Sequence, residues 1–323
     1  MRNDTARRCR PTGLALALLV CWPIAAAAGA GGEAVHFSGF VDEEIAYTTA
    51  SPTHWSRGVT RLQLSLEGKP AENIKWKVGG RADFDPVIDN SSFYLDRVKR
   101  DQRADFFWRE TYLDVAAGDW AFRLGAQNII WGEVAGLFFA DVVSARDLRE
   151  FLLPSFDIIR IPQWAARAEY FAGDSHLEFI WIPVPTFDNV GKPGSDFYPT
   201  KLNSPLDNAT AALFRDPNKP DRELSNSNFG VRASTLITGW DLAAFYYRSY
   251  ATSPTLYRTA TADGFAFEPR YDRIWQLGGT ATKDFDSFVL RGEAVYSNGQ
   301  GFPSFDPAAA NGVVTRNILD WIV

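Results

Sequence analysis

Charged residues of both signs crowd one stretch of this chain: Arg146, Asp147, Arg149 and Glu150, followed by Asp157 and Arg160. Opposed charges at a narrowing select a solute by its own charge. Other chemistry is sparse. The three histidines, His36, His54 and His176, stand in no HExxH or comparable spacing, so no metal site is expected. Asp83, Asp85 and Asp89 offer carboxylates without the order of a calcium loop. The G-x-S-x-G, P-loop and G-x-G-x-x-G patterns are absent. An enzyme acting on lipids would need a hydroxyl nucleophile beside a histidine, and only His176 falls on an inward strand face. The expectation is no cofactor, no catalytic residue and no enzymatic activity.

What holds the charges in place is a run of strands. The chain has 323 residues, 46% hydrophobic and 22% charged, which excludes a disordered protein. Its 14% aromatic content, with a single Met, suits strands rather than a helical bundle. Beyond the N-terminus no apolar run reaches the roughly 18–20 residues of a membrane-spanning helix. From residue 37 the dominant period is two: Trp76, Val78 and Phe84 alternate with Lys75, Lys77, Arg81 and Asp83, and Phe122 and Leu124 with Arg123 and Gln127. Strands are predicted at 37–48, 58–67, 74–84, 106–115, 120–130, 164–172, 176–183, 228–237, 240–251, 272–282, 286–297 and 314–323. Every second connection is short and the others are long, so all short turns fall at one end. That is the plan of an outer-membrane β-barrel, with periplasmic turns and extracellular loops.

Arg2, Arg7, Arg8 and Arg10, the apolar run from Gly13 to Cys21 and the small residues from Ala25 to Ala30 read as a secretory signal peptide over 1–30, cut near Ala28 or Ala30. Both cysteines, Cys9 and Cys21, lie in it, so residues 31–323 have no thiol chemistry. Those residues carry 29 basic against 38 acidic side chains, a poor nucleic-acid binder.

Two folds fit the alternation: a soluble sandwich, or a barrel whose apolar face meets lipid. Strands near ten residues favour the barrel. So do Trp and Tyr near strand ends (Tyr47, Trp76, Trp120, Trp131, Trp164, Tyr170, Trp181, Trp240, Tyr250, Tyr296). The lumen wall is then Lys75, Lys77, Arg81, Asp83, Arg123, Gln127, Arg167, Glu169, His176, Glu178, Arg232, Arg291 and Glu293. Twelve strands enclose more space than side chains fill, so the lumen is wet or plugged by a loop.

The loop 131–163 is the candidate. Ser144 and Asp147 resemble a capping box, which predicts a short helix with Leu148, Phe151 and Leu152 on one face, ended by Pro154. An apolar face in such a loop needs cover, so the loop is expected to fold into the barrel mouth. There it acts either as a constriction or as a lid that stiffens the rim. The loop 184–227, with Phe187, Phe197, Tyr198 and Phe214 as its few apolar anchors, reads as mobile and as a weak contact surface.

The runs Trp131-Gly132-Glu133, Asp147-Leu148-Arg149-Glu150-Phe151-Leu152-Leu153-Pro154 and Arg160-Ile161-Pro162-Gln163-Trp164 resemble a family of proteobacterial outer-membrane proteins known as domain of unknown function 1302. The resemblance implies an outer-membrane β-barrel with a transport role. It carries over no catalytic residues, and it brings passage of lipid-like molecules into view. The chain departs from the usual barrel ending, stopping at Asp320-Trp321-Ile322-Val323 without a closing Phe, which reads as a fragment of a longer barrel, the alternative being a twelve-stranded barrel with an atypical end. The expected function is passive passage of a small solute or hydrophobic compound. The expected partners are outer-membrane lipid, lipopolysaccharide and the barrel-assembly machinery. A lipid-modifying enzyme or a surface receptor or adhesin is the alternative.

Overall fold

The structure is a computed structural model that describes residues 16–26, 35–132, 140–198, 207–262, 264–309 and 311–323. The chain opens as a meander of β1 (Leu16–Ala26), β2 (His36–Thr48), β3 (His54–Ala71) and β4 (Ile74–Phe84). Two short helices, α1 (Pro86–Asn90) and α2 (Asp96–Gln102), precede β5 (Ala104–Trp108), β6 (Thr111–Ala117) and β7 (Trp120–Gln127). Next comes a two-residue ribbon, β8 (Ala145–Arg146) with β9 (Arg160–Ile161), with α3 (Phe156–Ile159) immediately before β9. The remainder is β10 (Gln163–Ala172), β11 (Ser175–Ile182), α4 (Asn208–Ala212), β12 (Asn228–Ile237), β13 (Trp240–Tyr250), a hairpin of β14 (Thr255–Thr261) and β15 (Gly264–Arg270), β16 (Arg273–Asp284), β17 (Val289–Pro303) and β18 (Val313–Ile322).

The fold is all-β. One antiparallel sheet runs β1-β2-β3-β4-β6-β7-β10-β11-β12-β13-β16-β17-β18, with β5 also paired to β4. Among the described residues no helix is long and apolar enough to cross a membrane, which says nothing of strands. The alternation locates the strands within a few residues. Its exceptions have local causes. The strand predicted at 106–115 breaks at Arg109–Glu110 into β5 and β6. The stretch 252–271, predicted as loop, contains β14 and β15, which pair with each other and not with the large sheet. Residues 16–26, assigned above to the signal peptide, run antiparallel to β2; the rest of 1–30 lies outside the described residues.

The links β3–β4, β6–β7, β10–β11, β12–β13 and β16–β17 are the short ones and share one end of the sheet. Gly173 (φ +59°) and Gly239 (φ +77°) supply the left-handed residue that two of these tight turns need.

Register sorts the two faces. Leu62, Leu64 and Leu66 oppose Ala82, Gly80 and Val78, and Phe122 and Leu124 oppose Val115 and Leu113. These large apolar side chains are exposed, as are Trp164, Phe179, Trp181, Leu277, Leu319 and Trp321. The other face is the buried one. Its apolar core joins Ile129, Trp131, Ala140 and Val143, from the segment after β7, to Ala165, Ile180, Ile182, Phe245, Tyr247 and Val295 of the sheet. The same segment reaches β3 through Glu150 and β17 through the Ala140 amide on Glu293. Strands near both ends of the sheet thus touch one inserted segment, so the sheet curls round it with its charged face inward and its apolar face outward.

Candidate functional site

The inserted segment is a hairpin. Its stem is β8 paired with β9; the Asp147 amide donates to Ile159 O (2.7 Å) and Leu148 N to Asn189 O (2.8 Å). The helix predicted from a Ser144 cap to Pro154 is not there. Pro154 disfavours helix at Leu153, and helix forms only after it, at α3, with Ser155 (φ −59°, ψ 154°) as the N-cap. Phe151 adopts φ +56°, and Phe151, Leu152 and Leu153 are 59, 43 and 63% exposed, so they line no buried helix face.

One side of the hairpin docks on β2–β5. Asp42, Arg61, Asp83 and Asp105 stand directly opposite one another on four neighbouring strands. Arg61, 1% exposed, lies at the centre. Its Nη1 meets Glu44 Oε2 at 2.8 Å and Asp42 Oδ2 at 3.1 Å, its Nε faces Asp83 at 3.6 Å, and its Nη2 donates to Glu150, as Arg57 does. Arg81 bonds Asp83 (3.0 Å) and the Ile158 carbonyl (2.9 Å) and stacks over Phe107. Arg149 grips both Asp147 oxygens (2.9 and 2.8 Å), then Asp105 (2.9 Å) and the Asp101 carbonyl (2.6 Å). Arg109 holds the carbonyls of Arg160 (2.7 Å) and Asp157. A buried charge is costly unless it is paired, and here Glu150 pairs with Arg57 and Arg61 of the wall and Arg149 with Asp105.

The other side docks on β10–β17. Trp131, predicted as an interfacial aromatic, is 1% exposed inside the curl, because its indole N–H finds Glu178 Oε1 (3.2 Å) and its ring packs on Phe245 and Tyr247. A Cβ on Gly230 would lie 2.6 Å from this ring, so only glycine admits it. Glu178 also takes Arg167 (3.1 Å), which bonds Glu169 (2.7 Å). Glu133 lies outside the described residues.

Hairpin and outer loops are tied together. Arg146 N donates to Asp188 Oδ1 (2.8 Å), Ser253 Oγ donates to the other Asp188 oxygen, and Arg160 meets Asp141 (3.2 Å). Burial drives the Asp188 and Asp141 carboxyls above the ordinary aspartate range despite Arg146 and Arg160 respectively. Burial opposes Asp147 too, but Arg149 and Arg81 outweigh it and hold that carboxyl below the range. Residues 184–198 of the loop read as mobile are anchored here, with Phe187 and Asp188 buried. At the same end His54 stacks on Phe93 (3.7 Å) and meets Asp196 (3.0 Å).

Of the predicted hairpin charges, Arg146, Asp147, Arg149, Glu150 and Arg160 are engaged in these bonds, while Asp157 contributes its carbonyl and leaves its carboxylate exposed. The predicted wall charges share the inward face. Lys75, Asp114, Arg123 and Arg167 form one cross-strand row, and the two facing arginines are kept apart by separate partners, Asp114 (2.6 Å) and Glu169. Lys77 bonds Glu110 (2.8 Å), Arg232 stands opposite Glu178, and Arg291 is exposed near the short-turn end. His176 meets Glu169 (3.0 Å) and stands opposite Ser234. Sequence reasoning missed Asp42, Glu44, Arg57, Arg61 and Arg109. An acidic pair two residues apart in β2, matched by arginines in β3, was the available signal.

The chain belongs to the family described as protein of unknown function (DUF1302), whose profile matches residues 53–319. Among curated proteins nothing matches. Among solved structures the chain is similar to Salmonella typhi OmpF in complex with daunomycin, at 10% identity and a TM-score of 0.38, over 89% of this chain and 84% of that one.

Proposed function

We propose that this is an outer-membrane β-barrel facilitator for a small solute or hydrophobic compound, with the 140–162 hairpin as a docked plug. One observation carries the reading: a single segment is bonded to Arg61 on one wall and packed against Glu178, Phe245 and Glu293 on the other, inside a sheet whose outer face is exposed and apolar. Passage is passive, and it requires the plug to shift past the inward charges, which filter by sign. The hairpin charges are anchors first, which favours the lid over a fixed constriction. Export with loss of residues 1–30, and contact with outer-membrane lipid and the assembly machinery, belong to the same reading.

The test is reconstitution into phosphatidylcholine vesicles, with flotation and osmotic swelling in a series of sugars, amino acids and organic acids. Flotation with solute-dependent swelling is expected. A folded protein that stays in the aqueous fraction would contradict the barrel. An enzyme built on His176 and Glu169 predicts ester hydrolysis that His176→Ala abolishes.

A further inference from the structure

Among the described residues the wall has a break. In β5 the odd residues face β4: Arg109 N donates to Gly79 O (2.9 Å) and Asp85 N to Arg103 O (2.8 Å). Ala104, Phe106 and Trp108 therefore turn their backbone groups to the opposite edge. Among the described residues no strand pairs with that edge, and Phe106 N donates instead to its neighbour Asp105 Oδ1 (2.9 Å). The cause lies in β7, which leaves the sheet at Gln127 for the interior rather than continuing beside β5. Such an edge is costly in hydrocarbon unless something covers it. What runs alongside is the hairpin tip. Arg149 ties its start to Asp105, and Arg109 ties its end through the carbonyls of Asp157 and Arg160. Between these anchors stand the uncovered side chains of Phe151, Leu152 and Leu153. Phe151 holds a left-handed backbone that a bulky residue adopts only under constraint.

We propose that this break is a lateral portal between the barrel interior and the membrane, taken by a single-chain amphiphile whose tail lies against Phe151, Leu152 and Leu153 and whose charged head stays among Asp105, Arg109 and Arg149. The inference rests on the outer-membrane reading above. The chemistry of the two sides selects the ligand: Phe106 and Trp108, exposed and apolar, face out, while the charges face in. Height fits as well. β5 pairs with Gly80–Phe84, six to ten residues up β4, which is about 15–25 Å from the short turns for a strand tilted as in such barrels. That is the level of the leaflet at the long-loop end. The hairpin is joined to the large sheet by side-chain bonds and packing and not by strand pairing, so it can shift without breaking the sheet.

The test is photolabelling in phosphatidylcholine vesicles with a dodecyl phosphocholine that carries a diazirine in its chain. Tryptic cleavage isolates the edge as 104–109 and the tip as 150–160. The comparison is a variant with Phe151→Asn, Leu152→Ser and Leu153→Ser; asparagine tolerates the left-handed backbone, so the fold is kept. In the wild type, adducts are expected on both peptides. In the variant, the yield on 104–109 is expected to fall about tenfold with the lost apolar contact, while adducts on Leu113 and Leu124 of the outer face stay constant. Equal yields on 104–109 in the two proteins, or adducts confined to the outer face, would overturn the portal. A protein that does not float and takes no adduct anywhere would overturn the membrane reading, and the portal with it.

Discussion

Arg61 is the residue on which the docked hairpin depends most. It is shared by Asp42, Glu44, Asp83 and Glu150, so its removal leaves four carboxylates facing one another in a buried place. Breaking a buried ion pair from one side costs about 3–5 kcal/mol. Arg61→Ala is therefore expected to lower the denaturation midpoint of the vesicle-bound protein markedly, whereas Lys75→Ala, towards the short-turn end of the wall, should shift it little. A second expectation concerns acid. Asp147 lies below its ordinary 3.8, so its contribution is fully present above that value and is lost as the pH falls through the depressed one. Channel openings should become more frequent below about pH 3.8 as the Arg149 and Arg81 contacts fail, and Asp147→Asn should remove that step.

At the scale of elements, the hairpin is held by shape as well as charge. Gly230 makes room for Trp131, and the indole satisfies Glu178. Gly230→Val is expected to expel the ring at a cost of roughly 1–3 kcal/mol, read as restored quenching of one tryptophan by iodide; an unchanged quenching curve would mean the ring is not seated there. This scale also shows what the sequence could reveal. Strand positions were legible because a half-exposed strand must alternate, as β4 and β7 do. The break at Arg109–Glu110 was not, because β5 and β6 both pair with β4 and only the register slips by one residue between them, which moves the outward positions from Phe106 and Trp108 to Leu113 without any change in composition. The helix was misplaced because a capping pattern at Ser144 is local. The ribbon β8–β9 that replaced it pairs Arg146 with Arg160 and Ala145 with Ile161, 14 and 16 residues apart, a separation that no local pattern carries.

For the whole molecule, the charged inner face was readable from strand parity, but its centre was not. Arg61 matters through Glu150, which is distant in the chain and arrives only when the sheet curls. The N-terminus offers a direct check. β1 pairs along β2, so removal of 1–30 would expose the edge of β2. N-terminal sequencing of membrane-extracted protein is expected to begin after Ala28 or Ala30; retention of Leu16–Ala26 would make β1 a permanent part of the wall. The central claim is that the hairpin plugs the barrel and that Glu150 helps to hold it there. Single-channel conductance in a planar bilayer tests it most directly, comparing the wild type with Glu150→Gln. Rare, small steps in the wild type and larger or more frequent steps in the variant are the expected result. Indistinguishable conductance in the two proteins would contradict it.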